Sequence, residues 1–560
     1  MLIIGTLQLI AIACVFGLIG RGVIYLFRKA KEKNEEDERA RISRELREKD
    51  RRKRGIYEQA GIFLGYDRTY LNDQTKRPLL YNGDRHIMTF GPIGSGKGAT
   101  VLIPALLHSS VMADSSALVI DVKGQLAAVT AQMRHARAQE VRCINPFDVL
   151  SIPSATYNPL RFVDPASVSF ASDCKRIAEG LGFEGADNSD DKNAFFEITA
   201  LDLVNVLVQW AVVYAGKEGW EEYEPNLVTV RKILNLGEPH RSDFFRALTG
   251  VKNEAIAEGA QMFVPPEGGQ LRGAIEDCFA TARGKLAFLR DPGIERVLRG
   301  GKNEISFADL KRKLMTVYLV IPPELLGTHG RFLRLLVMSA LNELFRERTQ
   351  PKNPVVFMLD EFAQLGYMSL IENVASVGRD YKIRLWCVLQ NIPQLKNLYG
   401  SRWESFLSSA GVAQFFGPND VETATWVSKR AGTHMTQKIT RSASTSSGSN
   451  SGGHSSTSSG QTSGESISMV EEPLWKPNDV IGLGDGYQLL FVPNHGGSLL
   501  GKREPYFTDD GFANLRDFIV KDPYHMADGE FETFKASLPG SCLDPEATDR
   551  PRKIIPTIIL

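Results

Sequence analysis

The segment HIMTFGPIGSGKGATVLIPALL, residues 86–107, constrains this chain more than any other. His86–Phe90 reads as a short strand. Gly91, four residues, Gly96 and Lys97 follow, and then a stretch with helical length and apolar content. Strand, glycine-rich loop and helix in that order make a phosphate-binding loop. The glycines let backbone N–H groups close around phosphate oxygens, and the helix N-terminus adds a favourable dipole. The positions assigned to nucleotide are Gly91, Gly94, Ser95, Gly96, Lys97, Gly98 and Ala99, with Lys97 reaching the β- and γ-phosphates. Gly98 stands where such loops carry Ser or Thr to hold magnesium. Thr100, two residues on, points to another side of the helix and is a poor substitute, whereas Ser95 offers an extra oxygen. Magnesium then relies on a carboxylate elsewhere, on the phosphates and on water, which its habit of keeping waters allows.

The rest of the chain supplies the setting. ALVID (117–121), EVRCIN (140–145), LMTVYLVI (314–321), PVVFMLDEF (354–362) and IRLWCVLQ (383–390) read as strands separated by helices, with GVAQFFG and GYQLLFVP as two more. Apolar runs alternating with helices predict an α/β domain with a parallel sheet covered on both faces. Residues 165–300 break the alternation with helical segments only, and predict an all-α domain inserted between a first part at 61–164 and a second at 301–510. Asp360 and Glu361 end one predicted strand. Asp360 is placed to hold magnesium directly or through water, and Glu361 to polarise an attacking water. Gln390 ends the next strand, either as a sensor of the γ-phosphate or as an exposed strand end. Arg379 follows a predicted helix, either as an arginine finger reaching a neighbouring subunit or as a solvated arginine favouring the helix dipole.

The ends differ from the middle. Residues 1–27 are predominantly apolar with Arg21 as the single charge, long enough for a transmembrane helix, and Arg28-Lys29-Ala30-Lys31 follows. With nothing basic ahead of it, the run reads as an anchor rather than a cleaved signal, and the flanking positive charge puts the remaining chain in the cytoplasm. Residues 28–60 form a charged juxtamembrane linker. Residues 440–468 are Ser/Gly-rich and are expected to be a flexible loop, since they bury too little apolar surface to order themselves. The tail 511–560 carries no interpretable signal. Lys+Arg and Asp+Glu balance at 66 each, so any nucleic-acid surface must be a local patch or a lined channel. Six cysteines without a C-x-x-C and nine histidines without ligand spacing suggest neither a disulfide framework nor a zinc site.

Taken together, GPIGSGKG, SALVIDVKGQL, YNPL (157–160), FMLDEFAQLG, VGRDYKIRLWCVLQNIPQL and YG (399–400) resemble the type IV secretion coupling proteins, the TraG/TraD-like conjugation ATPases. The likeness runs from about residue 60 to about 510. It implies a RecA-like P-loop motor domain with an inserted all-α domain, preceded by an N-terminal transmembrane helix in the bacterial inner membrane. It implies a homo-hexamer that uses ATP and Mg2+ to move a relaxase-bound single DNA strand, or protein effectors, into a type IV secretion channel. Lys97, Asp360, Glu361 and Gln390 match the family's nucleotide-site positions, and Arg379 matches its proposed finger. Glycine after the loop lysine is common there, so Gly98 is no departure. Members commonly have two membrane helices; the single span here implies a shorter variant or a first helix upstream. Two other readings stand beside this one: a chromosome translocase of the FtsK type, and a non-hydrolytic adaptor that docks secreted proteins.

Overall fold

The computed structural model describes residues 60–512 except 69–76, 109–110, 184–190, 268, 270, 449–457, 494–497 and 511. The expected span 1–27, the linker 28–60 but for its last residue, and the tail 511–560 but for Phe512 lie outside the described residues.

The strands are β1 (Ile62–Asp67), β2 (Pro78–Tyr81), β3 (His86–Phe90), β4 (Ala117–Asp121), β5 (Glu140–Ile144), β6 (Met315–Val320), β7 (Val355–Leu359), β8 (Ile383–Leu389), β9 (Ala410–Phe415), β10 (Thr433–Gly448), β11 (Ser458–Pro473), β12 (Tyr487–Phe491) and β13 (Leu499–Lys502). Eleven of them form one sheet, in the order β2-β1-β13-β12-β9-β3-β8-β7-β4-β6-β5. From β9 to β5 every neighbouring pair is parallel. The runs VVFML and IRLWCVL are buried along their whole length. That is what a strand covered on both faces requires. Along β7, Val355, Phe357 and Leu359 face the core shared with the Leu326–Arg346 helix, while Val356 and Met358 face the Gln125–Ala136 helix.

The sheet is mixed rather than wholly parallel. β12, β13, β1 and β2 extend it beyond β9 by antiparallel pairing. β1, β2 and β13 had no strand signal. β1 is interrupted by Gly65 and pairs with a segment more than 400 residues away, Tyr66 opposite Lys502. A buried polar chain ties this edge to the parallel part. Trp386 Nε1 donates to Thr89 Oγ1 (2.9 Å), Thr89 Oγ1 to Gln414 Oε1 (2.7 Å) and Gln414 Nε2 to Gln488 Oε1 (3.0 Å). Gln488 in turn donates to the Leu64 carbonyl. Every member has a partner, so the chain fixes strand order without leaving a buried polar group unpaired.

Between β5 and β6 the described residues form helices and turns, with no strand. Asp191–Val213 runs through their middle, beside the helices Phe170–Ala178, Leu227–Leu234, Glu254–Gln261 and Gly273–Lys285. It is the one described helix long and apolar enough to cross a membrane, by length and composition, and most of that stretch is buried inside the protein. Trp210, Trp220, Tyr223 and Phe244 pack edge-on around its C-terminal end.

The expected flexible loop 440–468 needs correction in its described residues, 440–448 and 458–468. β10 and β11 pair from Thr433 opposite Pro473 to Gly448 opposite Ser458, forming an antiparallel ribbon. The expectation weighed only side-chain burial. A ribbon satisfies its backbone groups by cross-strand bonds, which Ser and Thr tolerate as well as apolar residues do.

Candidate nucleotide site

Parallel strands place whatever follows them along one rim of the sheet, and that rim is where ligands bind in such folds. Here β3 leads into the phosphate loop, β7 into Asp360 and Glu361, and β8 into Gln390. Because β8 lies between β3 and β7, these groups share the carboxyl rim.

The loop turns at Gly94 (φ +79°) and Gly96 (φ +77°), both left-handed conformations that residues with a side chain rarely adopt. The helix beyond it opens as a wide turn at Gly98–Leu102 and continues to Leu107. The Lys97 ammonium is held over the loop, donating to the Gly91 carbonyl (2.7 Å) and the Pro92 carbonyl (3.1 Å). Burial draws it below its usual range, while Asp360 and Glu361 act against that shift. Ser95 Oγ is buried without a hydrogen-bond partner. Thr100 Oγ1 is committed, donating to the Gly96 carbonyl (2.8 Å), and does not replace the missing hydroxyl at Gly98.

Burial, and then the adjacent Glu361 carboxylate, push Asp360 up to about 7, against the pull of Lys97. Asp360 Oδ1 accepts from the Glu361 amide (3.2 Å). Glu361 sits at φ +54°, a left-handed conformation costly for a side-chain-bearing residue and one that concentrates at functional sites. Gln390 Nε2 donates to Glu361 Oε2 (3.3 Å), joining the ends of β7 and β8.

Arg379 is elsewhere. It precedes β8 and pairs with Asp84, ahead of β3, at 2.5 Å; both side chains are exposed. These are the amino ends of the strands. β3 has five residues, so roughly 17 Å separate that rim from the loop. Arg379 therefore cannot serve its own subunit's loop.

Two further residues belong to the rim. Asp121, at the end of β4 beside β7, accepts from the amides of Ala127 (2.8 Å) and Lys123 (3.3 Å), and burial pushes it up to about 6. Its signal was available: ALVID ends in a carboxylate as LDE does. Arg503, just beyond β13, donates from Nη1 to the Ser95 carbonyl (2.8 Å) and Thr100 Oγ1 (3.0 Å). No local pattern could have announced a contact across 408 positions.

Magnesium takes hard oxygen ligands and keeps several waters. Asp360 and the unpartnered Ser95 hydroxyl fit that donor set. Among the described residues no three His, Cys, Asp or Glu side chains converge as a metal cage. A cation here would be held jointly with phosphate and water.

Residues 27–539 match the model of a family described as type IV secretory system conjugative DNA transfer. Over 452 residues the chain is 23% identical to the conjugal transfer protein TraG of Rhizobium radiobacter, covering 79% of this chain and 66% of that protein. Over 431 residues it is 26% identical to protein VirD4 of Agrobacterium fabrum, covering 74% of this chain and 58% of that protein. The chain thus spans about two thirds or less of the length of these curated relatives. Among solved structures, an unbound form of the bacterial conjugative coupling protein TrwB superposes with a TM-score of 0.55 at 14% identity, covering 76% of this chain and 86% of that one. TrwB is also solved with the ATP analogue ADPNP, and with ADP and Mg2+. The likeness shows a shared α/β fold with a large mixed sheet.

Proposed function

Since the chain belongs to the type IV secretory system conjugative DNA transfer family, as a coupling protein, we propose that it is an ATP-driven pump for conjugation. It recruits a relaxase-bound single DNA strand, or protein effectors, and drives it into a type IV secretion channel. The observation that carries this is the convergence of Lys97, Asp360, Glu361 and Gln390 on one sheet rim, within a chain matched to the family over most of its length.

In this reading the loop residues Gly91, Gly94, Ser95, Gly96, Lys97, Gly98 and Ala99 hold the phosphates, and Lys97 exchanges its loop carbonyls for phosphate oxygens. Asp360 and Ser95 hold magnesium, which supplies charge neutralisation on the phosphates when bound. Glu361 orients and deprotonates the attacking water, and Gln390 relays phosphate occupancy through its bond to Glu361. Arg379 acts on a neighbouring subunit, in a homo-hexamer anchored in the inner membrane by residues 1–27. The helices between residues 165 and 300 form an inserted domain that reads cargo, and 61–164 with 301–510 form the RecA-like motor.

The test is ATP turnover by the full chain in detergent, with and without single-stranded DNA, beside Lys97→Ala. Turnover that rises with DNA and vanishes in the variant is expected. DNA binding should be insensitive to sequence and weaken steeply with salt. ATP binding without any response to DNA would redirect the proposal to a protein cargo, and turnover intact in Lys97→Ala would end it.

A further inference from the structure

The phosphate loop is braced from outside by one side chain. Arg503 is 4% exposed, and its guanidinium lies 3.8 Å from the centre of the Phe416 ring. Nε donates to the Tyr487 carbonyl (3.2 Å), and Nη1 to the Ser95 carbonyl and Thr100 Oγ1. One group thus spans the strand β12, the loop, the first helix and the residue after β9. Burial lowers Arg503 only to about 10, so it carries its charge at neutral pH. The chain around it is seated too. The Arg503 amide bonds the Gly486 carbonyl (2.6 Å), and the Tyr506 amide bonds the Ala99 carbonyl in the helix that follows the loop (2.9 Å). Tyr66 donates to Asp509 (2.6 Å), fastening the same segment to β1.

We propose that Arg503 is a positioning residue for nucleotide: it fixes the Ser95 and Thr100 sides of the phosphate loop and links loop occupancy to the seating of residues 503–510. The inference rests on the reading of Gly91–Ala99 as a nucleotide site. The two contacts it makes lie on either side of Gly96 and Lys97. Losing them frees the loop to sample arrangements in which its amides no longer converge. Nucleotide then binds only the fraction of molecules with a formed loop, so apparent affinity falls by that fraction. Ground state and transition state bind the same loop, so KM rises while kcat holds. The antiparallel edge of the sheet, far along the chain from the loop, thereby becomes part of the site.

Arg503→Met keeps most of the side-chain volume and removes charge and donors; Arg503→Lys keeps the charge and places its donors on a single nitrogen. The full chain in detergent is assayed for ADP binding, for ATP turnover and for amide exchange of residues 503–510 with and without ADP. Expected is about a tenfold or greater rise in KM and in the ADP Kd for Arg503→Met, a kcat within about threefold, and substantial rescue by Arg503→Lys. ADP should slow exchange of the Tyr506 amide in the wild type and fail to do so in Arg503→Met. Wild-type affinity in Arg503→Met, or Lys no better than Met, overturns the proposal. If Arg503→Met does not fold, Thr100→Val tests the same brace: KM rises about threefold or the proposal fails. Should Lys97→Ala bind ADP as the wild type does, the site reading itself falls and this inference with it. Loss in Lys97→Ala with no change in Arg503→Met removes Arg503 alone.

Discussion

The two rims of the parallel sheet are built from the same strands and carry opposite electrostatics. At the carboxyl rim, Asp121 and Asp360 are buried acids pushed up to about 6 and about 7, Glu361 is held left-handed, and the Ser95 hydroxyl is unpartnered. At the amino rim, Arg379 pairs with Asp84 in solvent, His86 is buried and uncharged, and Arg384 is a buried base that donates to the Gly83 carbonyl and lies over the Tyr81 ring. His86 accepts from the Leu385 amide at Nδ1 (3.0 Å) and meets the Val374 carbonyl at Nε2 (3.1 Å), so its neutral tautomer is bonded on both sides. Left-handed residues occur at both rims, Glu361 at one and Lys382 at the other; what differs is the sign of the buried groups. Buried carboxyls collect at the carboxyl rim, where a cation and phosphate would match them, whereas the amino rim buries the base Arg384.

The largest expected effect breaks the carboxyl rim directly. Glu361→Gln keeps the shape and removes the base, so turnover should drop about a thousandfold while ATP binding persists. A drop below tenfold in single-turnover assays would take Glu361 out of the proton transfer. Arg379→Ala sharpens the contrast between rims, because that side chain reaches a nucleotide only across a subunit boundary. A loss of about a hundredfold in turnover is expected, with binding spared. Mixed assemblies of Arg379→Ala with Glu361→Gln should regain part of it, since one composite site then holds both groups; no regain would sink the action in trans. Asp84→Asn should stay within about twofold of wild type, as an exposed ion pair is worth little.

The carboxyl rim was legible in the sequence because its parts are local: Lys97 and Asp360–Glu361 each follow an apolar run whose length and β-branched content announce a strand. Gln390 was legible for the same reason, but its bond to Glu361 was not, since that requires knowing that β7 and β8 are neighbours. Arg503 was invisible because it acts through β13, a four-residue strand that exists only by pairing with β1 and β12. The ribbon of β10 and β11 was misread for a related reason. Its order comes from backbone pairing that composition does not record, and its Ser and Gly residues gave no alternation of apolar and polar side chains. What sequence pattern conveys is burial on a regular element; what it withholds is pairing across long separations.

The smallest expected effect separates the rims by pH. His86 titrates at about 4 rather than 6.5, because burial disfavours its charged form. Between those values the unfolded chain binds more protons, so this group makes stability rise with pH. His108, pushed to about 4 by burial, adds the same slope. Asp121 and Asp360 titrate above the usual 3.8, so the folded chain binds more protons and stability falls as pH rises from about 4 to about 7. The contributions oppose each other across the same window, and the wild-type Tm should therefore vary little with pH when magnesium and nucleotide are chelated away. Asp360→Asn removes one falling contribution: its Tm should match the wild type near pH 5 and exceed it by a few degrees near pH 8. His86→Gln removes a rising one, so its penalty should be largest above pH 6.5 and shrink towards pH 5. If Asp360→Asn instead tracks the wild type in parallel across the range, Asp360 is ionised throughout without a cation beside it. Burial would then cost the Asp360 charge nothing, and a buried acid held above its usual range would no longer distinguish the carboxyl rim.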